Sequence, residues 1–254
     1  MTFCADIDLF NKHGGKFLTF SMNKSFDEHS IEGQEKFAQL CNHIRDSQTL
    51  TYLTLNKLDL SGNLCHLVCE ALMHNKTVKS VSLKHCFLCT DADSNHLSYL
   101  IAFNDCIRYL YLDGNDINEE GALKIIDSLK TSKSIRTFSF GQNKIPRRIY
   151  FCFVECAAAN PGLKTLFFAD DFYTRVQAVS AEELQKHMAD KGVTGCRIWL
   201  STAFFIGTCS SESQMDYSPF YLPGSNKKIS VDANIQLETR EKTALTSAPF
   251  ISVD

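Results

Sequence analysis

The chain has 254 residues, 44% hydrophobic and 22% charged, with a net charge of −3 and a pI near 6.2. That balance suits a globular protein long enough to bury a core, excludes wholesale disorder, and supplies no strongly basic overall charge for nucleic acid. No run reaches the ~18 consecutive apolar residues that a membrane-spanning helix needs, so neither a nucleic-acid nor a membrane partner is expected.

Residues 1–15, MTFCADIDLFNKHGG, lack a basic segment followed by an apolar one; they read as an N-terminal cap segment without a conventional secretory signal. Gly14-Gly15-Lys16 lacks the spacing of a phosphate-cradling loop and reads as a turn. From Lys16 the segment KFLTFSMN has the character of a strand, and Phe37, Leu40, Cys41 and Ile44 then fall on one face of a helix. The segments TLTYLTL, TVKSVSL, CIRYLYL, SIRTFSF and GLKTLFF follow, and they superpose. Their first apolar residues, Leu50, Val78, Ile107, Ile135 and Leu163, are 28, 29, 28 and 28 positions apart, a period that marks a solenoid.

Within each unit the pattern is LxxLxLxxN. The apolar pairs Leu53/Leu55, Val81/Leu83, Leu110/Leu112, Phe138/Phe140 and Leu166/Phe168 alternate as a half-buried strand requires. The ninth position holds Asn115 and Asn143 in the two most regular units, Cys86 in another, and Leu58 and Asp171 in the rest. An amide there can bond backbone groups of neighbouring coils that would otherwise be buried without partners. Leu58 cannot, so a looser turn is expected at that coil. After the turn a helical period resumes, as in Leu64, Leu67, Val68, Ala71 and Leu72, in Ala122, Ile125, Ile126 and Leu129, and in Ile149, Cys152, Phe153, Cys156 and Ala157. Asn118 with Glu119 and Glu120, and Ser180 with Glu183, supply helix-start chemistry.

The stretch LYLDGNDINEEGALKIIDSLKTSKSIRTFSF resembles the long, helix-bearing repeat of the ribonuclease-inhibitor type of leucine-rich-repeat protein, found also in related receptor and tropomodulin-type domains. The resemblance covers about Lys16 to Leu200. It implies an α/β fold: a curved, horseshoe-shaped solenoid with a parallel β-sheet on the concave face and α-helices on the convex face. The domain reading is therefore 1–15 as the cap segment, 16–202 as the leucine-rich-repeat domain, and 203–254 as a closing segment and polar tail, with Phe204, Phe205 and Ile206 closing the last coil.

In such a repeat the third and fifth pattern positions project from the sheet face that the helices leave open. They place Tyr52, Tyr109, Tyr111, Phe167 and Trp199 there beside small Ser and Thr residues, and the following turn adds Lys84, His85, Asp113 and Asp170. These nine residues are the candidate partner-binding set, because aromatics among small polar residues make strong protein-binding anchors. The competing structural role is packing: Tyr52 stacked with Tyr109, and Trp199 covered by the C-terminal segment.

No catalytic residue, metal ligand or cofactor is assigned. Cys65, His66, Cys69, His85, Cys86 and Cys89 resemble metal ligands in linear order, yet the repeat assigns Cys86 to an inward turn position and Cys65 and Cys69 to a helix, away from a common centre. Eleven cysteines, an odd number and several on apolar faces, read as reduced thiols of a cytoplasmic chain. The final residues, LETREKTALTSAPFISVD, are similar to the C-terminal export signals of type IV secreted bacterial effectors. The expectation is a monomeric protein-binding effector acting on a host-cell protein, with an enzyme site at the C-terminal segment or an adaptor using the helical face as alternatives.

Overall fold

The computed structural model of the chain describes residues 15–19, 30–168, 179–201 and 204–206. These belong to one compact unit, Met1–Ser210; the second unit, Ser211–Asp254, lies outside the described residues. Short strands alternate with helices: β1 (Phe17–Thr19), α1 (Ile31–Asp46), β2 (Tyr52–Thr54), α2 (Leu64–His74), β3 (Ser80–Ser82), α3 (Asp91–Phe103), β4 (Tyr109–Tyr111), α4 (Glu119–Thr131), β5 (Thr137–Ser139), α5 (Arg147–Ala159), β6 (Thr165–Phe167), α6 (Ala181–Asp190), β7 (Arg197–Ser201) and β8 (Phe204–Ile206). Strands β1 to β7 pair in chain order, all parallel, and β8 pairs antiparallel with β7. This is a leucine-rich-repeat solenoid.

The register follows the repeat, so that Leu18, Leu53, Val81, Leu110, Phe138, Leu166 and Ile198 form one transverse row. All seven are buried in the same core as Phe37, Leu40, Val68, Leu97, Ile125, Phe153 and Leu184 from the six helices. The helices therefore cover one face of the sheet. Alternation along each strand sends the residues on either side of that row to the other face.

Side-chain caps fix four of the six helix starts, those of α1, α3, α4 and α6. Ser30 and Asn118 accept bonds from the backbone N–H groups of Gly33 and Gly121, and Thr90 with Asp93 and Ser180 with Glu183 form reciprocal capping boxes. Arg147 and Arg148 are exposed charges that pair with Glu183 and Glu119, linking α5 to the helices of both neighbouring coils.

The turns after β2, β3, β4 and β5 are held by a ladder. The Asn115 amide accepts from the Cys86 N–H at 2.7 Å and donates to the carbonyls of Leu83 and Leu112 at 2.6 and 3.0 Å. Asn143 does the same one coil on, accepting from the N–H groups of Asn115 and Ile117 and donating to the carbonyls of Leu112 and Phe140. The Cys86 thiol takes the equivalent place by donating to the Leu55 carbonyl at 2.9 Å. Leu58 is fully buried instead, and its turn is tied to the next coil by backbone bonds from Lys57 to Lys84 and from Leu60 to Cys86.

The ladder also explains a strain that recurs. Lys57, His85, Gly114 and Gln142 all occupy the eighth pattern position, and all have positive φ, between 55° and 71°. Only one is glycine; the others hold a costly conformation because the bonded turn around them determines it.

A second ladder runs along the opposite edge, where each helix returns to the sheet. Asn75, Asn104 and Asn160 follow α2, α3 and α5. Each donates to carbonyls of the preceding coil: Ile44 and Ser47, Leu72, and Leu129 and Ser132, respectively. Their side-chain oxygens accept from N–H groups two or three residues ahead. Each of these asparagines lies three residues before the first apolar residue of its strand segment, a regularity present in the repeat alignment.

Candidate functional site

The open sheet face carries two rows. Tyr52, Ser80, Tyr109, Thr137, Thr165 and Arg197 share one, and Thr54, Ser82, Tyr111, Ser139, Phe167 and Trp199 share the other. The candidate aromatics all lie where the repeat register puts them, but they differ in what they offer a partner.

Tyr52 and Tyr109 are half-buried and are separated by Ser80 on β3, so they are not adjacent cross-strand neighbours. Phe167 and Trp199 are half-buried too and stack on adjacent strands, with ring centroids 5.7 Å apart and planes 18° from parallel. That pair forms one continuous aromatic patch across β6 and β7.

Tyr111 departs from the expectation of an accessible anchor, being only 4% exposed. Its neighbours in register are the small residues Ser82 and Ser139, and the Lys84 ammonium lies over its ring, 5.2 Å from the centroid. Asp113 is likewise buried, at 8% exposed. Its carboxylate accepts from the Ser139 hydroxyl at 2.6 Å and the Gly141 N–H at 3.0 Å, while Lys84 Nζ stands 3.1 Å from the other oxygen. Lys84, Tyr111 and Asp113 therefore form a cluster linking β3, β4 and β5, in which the Lys84 ammonium serves both the Asp113 carboxylate and the Tyr111 ring. Asn56 makes a similar link one coil earlier, accepting from the Ser82 hydroxyl and the Lys84 N–H.

His85 is exposed and lies against Gly114, where an added Cβ would come within 2.2 Å of its ring. Asp170 lies outside the described residues. Of the nine candidates, Tyr52, Lys84, His85, Tyr109, Phe167 and Trp199 are thus the described residues with surface to present on this side, Lys84 being already engaged with Asp113 and the Tyr111 ring.

The cysteines take structural places. Cys65 and Cys69 are buried on α2, Cys86 in the turn ladder, and Cys89 is exposed. Among the described residues no three His, Cys, Asp or Glu side chains are grouped to hold a metal. Burial pushes the thiols of Cys41, Cys156 and Cys196 up to about 12, leaving them protonated and unreactive near neutral pH. Alkylation of the native protein near neutral pH is accordingly expected to modify Cys89 and to spare Cys41, Cys156 and Cys196 until denaturant is added. Peptide mass mapping reads the difference, and rapid native-state modification of Cys156 would contradict it.

No protein-family model matches the chain, and no characterised protein matches it in sequence. Among solved structures, the chain is similar to leiomodin-1 actin-binding site 2, with 17% identity and a TM-score of 0.47 over 64% of this chain and 90% of that one. It is also similar to the C-terminal domain of a Caenorhabditis elegans tropomodulin, with 17% identity and a TM-score of 0.49 over 61% and 90% of the two chains. At this identity the likeness is one of fold.

Proposed function

We propose that this chain is a non-catalytic protein-binding module that takes its partner on the open face of the sheet. The observation that carries this reading is the set of half-buried aromatics, Tyr52, Tyr109, Phe167 and Trp199, on a face that the helices leave uncovered. Rigid aromatics bury much area while losing little side-chain freedom, which is why they dominate protein-binding energetics. The regular ladders hold their backbones in place before binding, which lowers the entropic cost of association.

The same reading places the chain as a monomeric bacterial effector delivered to the host cytosol, where its partner is a host protein. This part rests on the sequence 237–254 alone, and its test is export of a tagged chain with and without the last residues. Quantitative affinity purification from eukaryotic lysate tests the binding face. The Tyr52→Ala/Tyr109→Ala variant is expected to lose at least about tenfold of the captured partner. Unchanged capture removes this face from consideration.

A second reading, an adaptor using the helical face, is favoured by one observation. Tyr99 and Phe103 on α3 are 58% and 63% exposed and lie against each other, 4.6 Å between centroids. Capture lost in Tyr99→Ser/Phe103→Ser and kept in the open-face variant selects it.

A further inference from the structure

One feature of the sheet is independent of the aromatic rows. At the edge where the chain enters each strand, backbone N–H groups form a continuous series: Thr51 bonds to the carbonyl of Lys16, Lys79 to Thr51, Arg108 to Lys79, Arg136 to Arg108, and Lys164 to Arg136. Six residues from the approaches to six strands are thereby stacked, and five are Lys or Arg. Four of them, Lys79, Arg108, Arg136 and Lys164, are consecutive. With adjacent strands ~4.8 Å apart, those four span about 14 Å, the length of four to five residues of extended chain.

None of these four cations pairs with a carboxylate among the described residues. Arg108 Nη1 donates to the carbonyls of Asp105 and Ser134, Arg136 Nη1 to that of Ile135, and Lys164 Nζ to that of Pro161. Each bond orients a head group while using few of its donors: a guanidinium has five and an ammonium three. The acid in the neighbouring loop, Asp105, accepts from the Cys106 thiol and faces Lys76 at 3.5 Å, and these, the thiol first, hold its carboxyl below the usual range. Alongside the cations, the adjacent row offers Tyr52, Ser80, Tyr109, Thr137 and Thr165, every one bearing a hydroxyl.

Cations stacked at strand spacing cost mutual repulsion, so a reason for them is needed. Offsetting helix dipoles is not sufficient. The basic residues that do so lie in the last turns, as His43 and Arg45 do in α1, His74 in α2, Lys130 in α4 and His187 in α6, whereas this series lies beyond the helices on the sheet. We infer that Lys79, Arg108, Arg136 and Lys164 form a receptor for a short acidic segment of the partner protein, lying across the strands with its Asp and Glu carboxylates on the cations and the hydroxyl row. The inference rests on the binding-module reading and adds the chemistry of the partner to it.

A protein segment fits better than a nucleic acid. The chain carries net charge −3, and beyond the opposite edge of the sheet Asp116 and the acids Glu119, Glu120 and Glu183 at the starts of two helices are already paired with Lys144, Arg148, Lys124 and Arg147. The overall field therefore disfavours a long polyanion, while the cationic row attracts a segment confined to it.

Fluorescence anisotropy of labelled hexaglutamate with the full chain tests this. Saturable binding is expected, weakening with added salt and falling at least about tenfold in Arg108→Glu/Arg136→Glu, while Lys144→Glu at the other edge changes it little. Arg108→Gln/Arg136→Gln, which removes the charge without reversing it and guards against a folding defect in the reversal variant, is expected to weaken binding by a smaller factor in the same direction. The inference is overturned if hexaglutamate does not saturate, if a correctly folded variant at Arg108 and Arg136 binds it as the wild type does, or if a thymidine hexanucleotide binds in its place. Partner capture that depends on Phe167 and Trp199 but not on Arg108 and Arg136 overturns the acidic-segment receptor while leaving the open-face reading standing.

Discussion

Replacing Asn115 with alanine is expected to destabilise the protein by about 3–5 kcal/mol, one of the largest effects of any polar substitution in the chain. The side chain is completely buried and makes three hydrogen bonds to main-chain groups of two coils. Its loss strands the Cys86 N–H and the Leu83 carbonyl away from water, whereas the Leu112 carbonyl keeps its bond from Asn143. Each buried orphan costs ~1–3 kcal/mol, so the estimate comes from the groups left behind more than from the bonds removed. Asn115→Asp serves as a sharper probe. It retains the acceptor for Cys86 but turns a donor into an oxygen facing the Leu83 and Leu112 carbonyls, so it should be no milder than alanine. The exposed helix cap Asn118, whose oxygen accepts only from Gly121, sets the comparison: its loss should cost about 1 kcal/mol, because water can replace it. Urea unfolding of the three variants measures the order. An Asn115→Ala cost equal to that of Asn118→Ala would mean that the ladder does not hold the coils together.

The ladder was legible in the sequence because it occupies a fixed place in an apolar pattern. Burying Leu53, Leu110 and their equivalents at one spacing forces a turn at another, and the residue at the turn must satisfy the backbone. The second ladder obeys the same logic, with Asn75, Asn104 and Asn160 three residues before Val78, Ile107 and Leu163. It escapes a reading that seeks apolar period first, because two of its five positions are the serines Ser47 and Ser132. These do comparable work with shorter side chains: Ser47 accepts from Thr49 and Leu50, and Ser132 from Ile135. Helix α3 was the least legible of the helices, since its inward first turn is Asp93 and Ser94, where other units place apolar groups.

The candidate site divides along a physical line. Alternation along a strand says which side chains leave the core, and on that count the open-face rows are those the repeat specifies. It does not say what stands beside them on the next strand. Tyr111 has serines on both sides and a lysine above it, so it sinks, while Tyr52 keeps part of its surface. A charge at the turn is similarly ambiguous: Asp113 and Lys84 read as rim charges in linear order, and the structure pairs them. The cationic series from Lys79 to Lys164 was present in four of the five aligned segments, immediately after the first apolar residue. It carried no weight in a count of net charge, because acids elsewhere in the chain cancel it.

Replacing Phe153 with alanine is expected to cost about 3–5 kcal/mol through the cavity it opens, with the loss concentrated in the later coils. Phe153 projects from α5 into the densest aromatic part of the core, fully buried, with ring centroids 5.8, 5.4 and 5.1 Å from Phe138, Phe140 and Phe168. It thereby touches residues of its own coil and of the next. In a solenoid each repeat is stabilised mainly by its neighbours, so removing a side chain at a junction weakens the interface between two repeats more than it weakens distant ones. Against a total stability of ~5–15 kcal/mol for an ordinary domain, such a loss is large enough to let one end open while the other holds. Amide hydrogen exchange in Phe153→Ala should therefore show faster exchange across β6 and α6 than across β2 and β3. Phe153→Leu, which refills most of the volume, should restore much of the protection. Uniform acceleration from β2 to β7 would show instead that the repeats unfold as one cooperative body, and the coupling carried by the two ladders would then exceed that carried by the aromatic core.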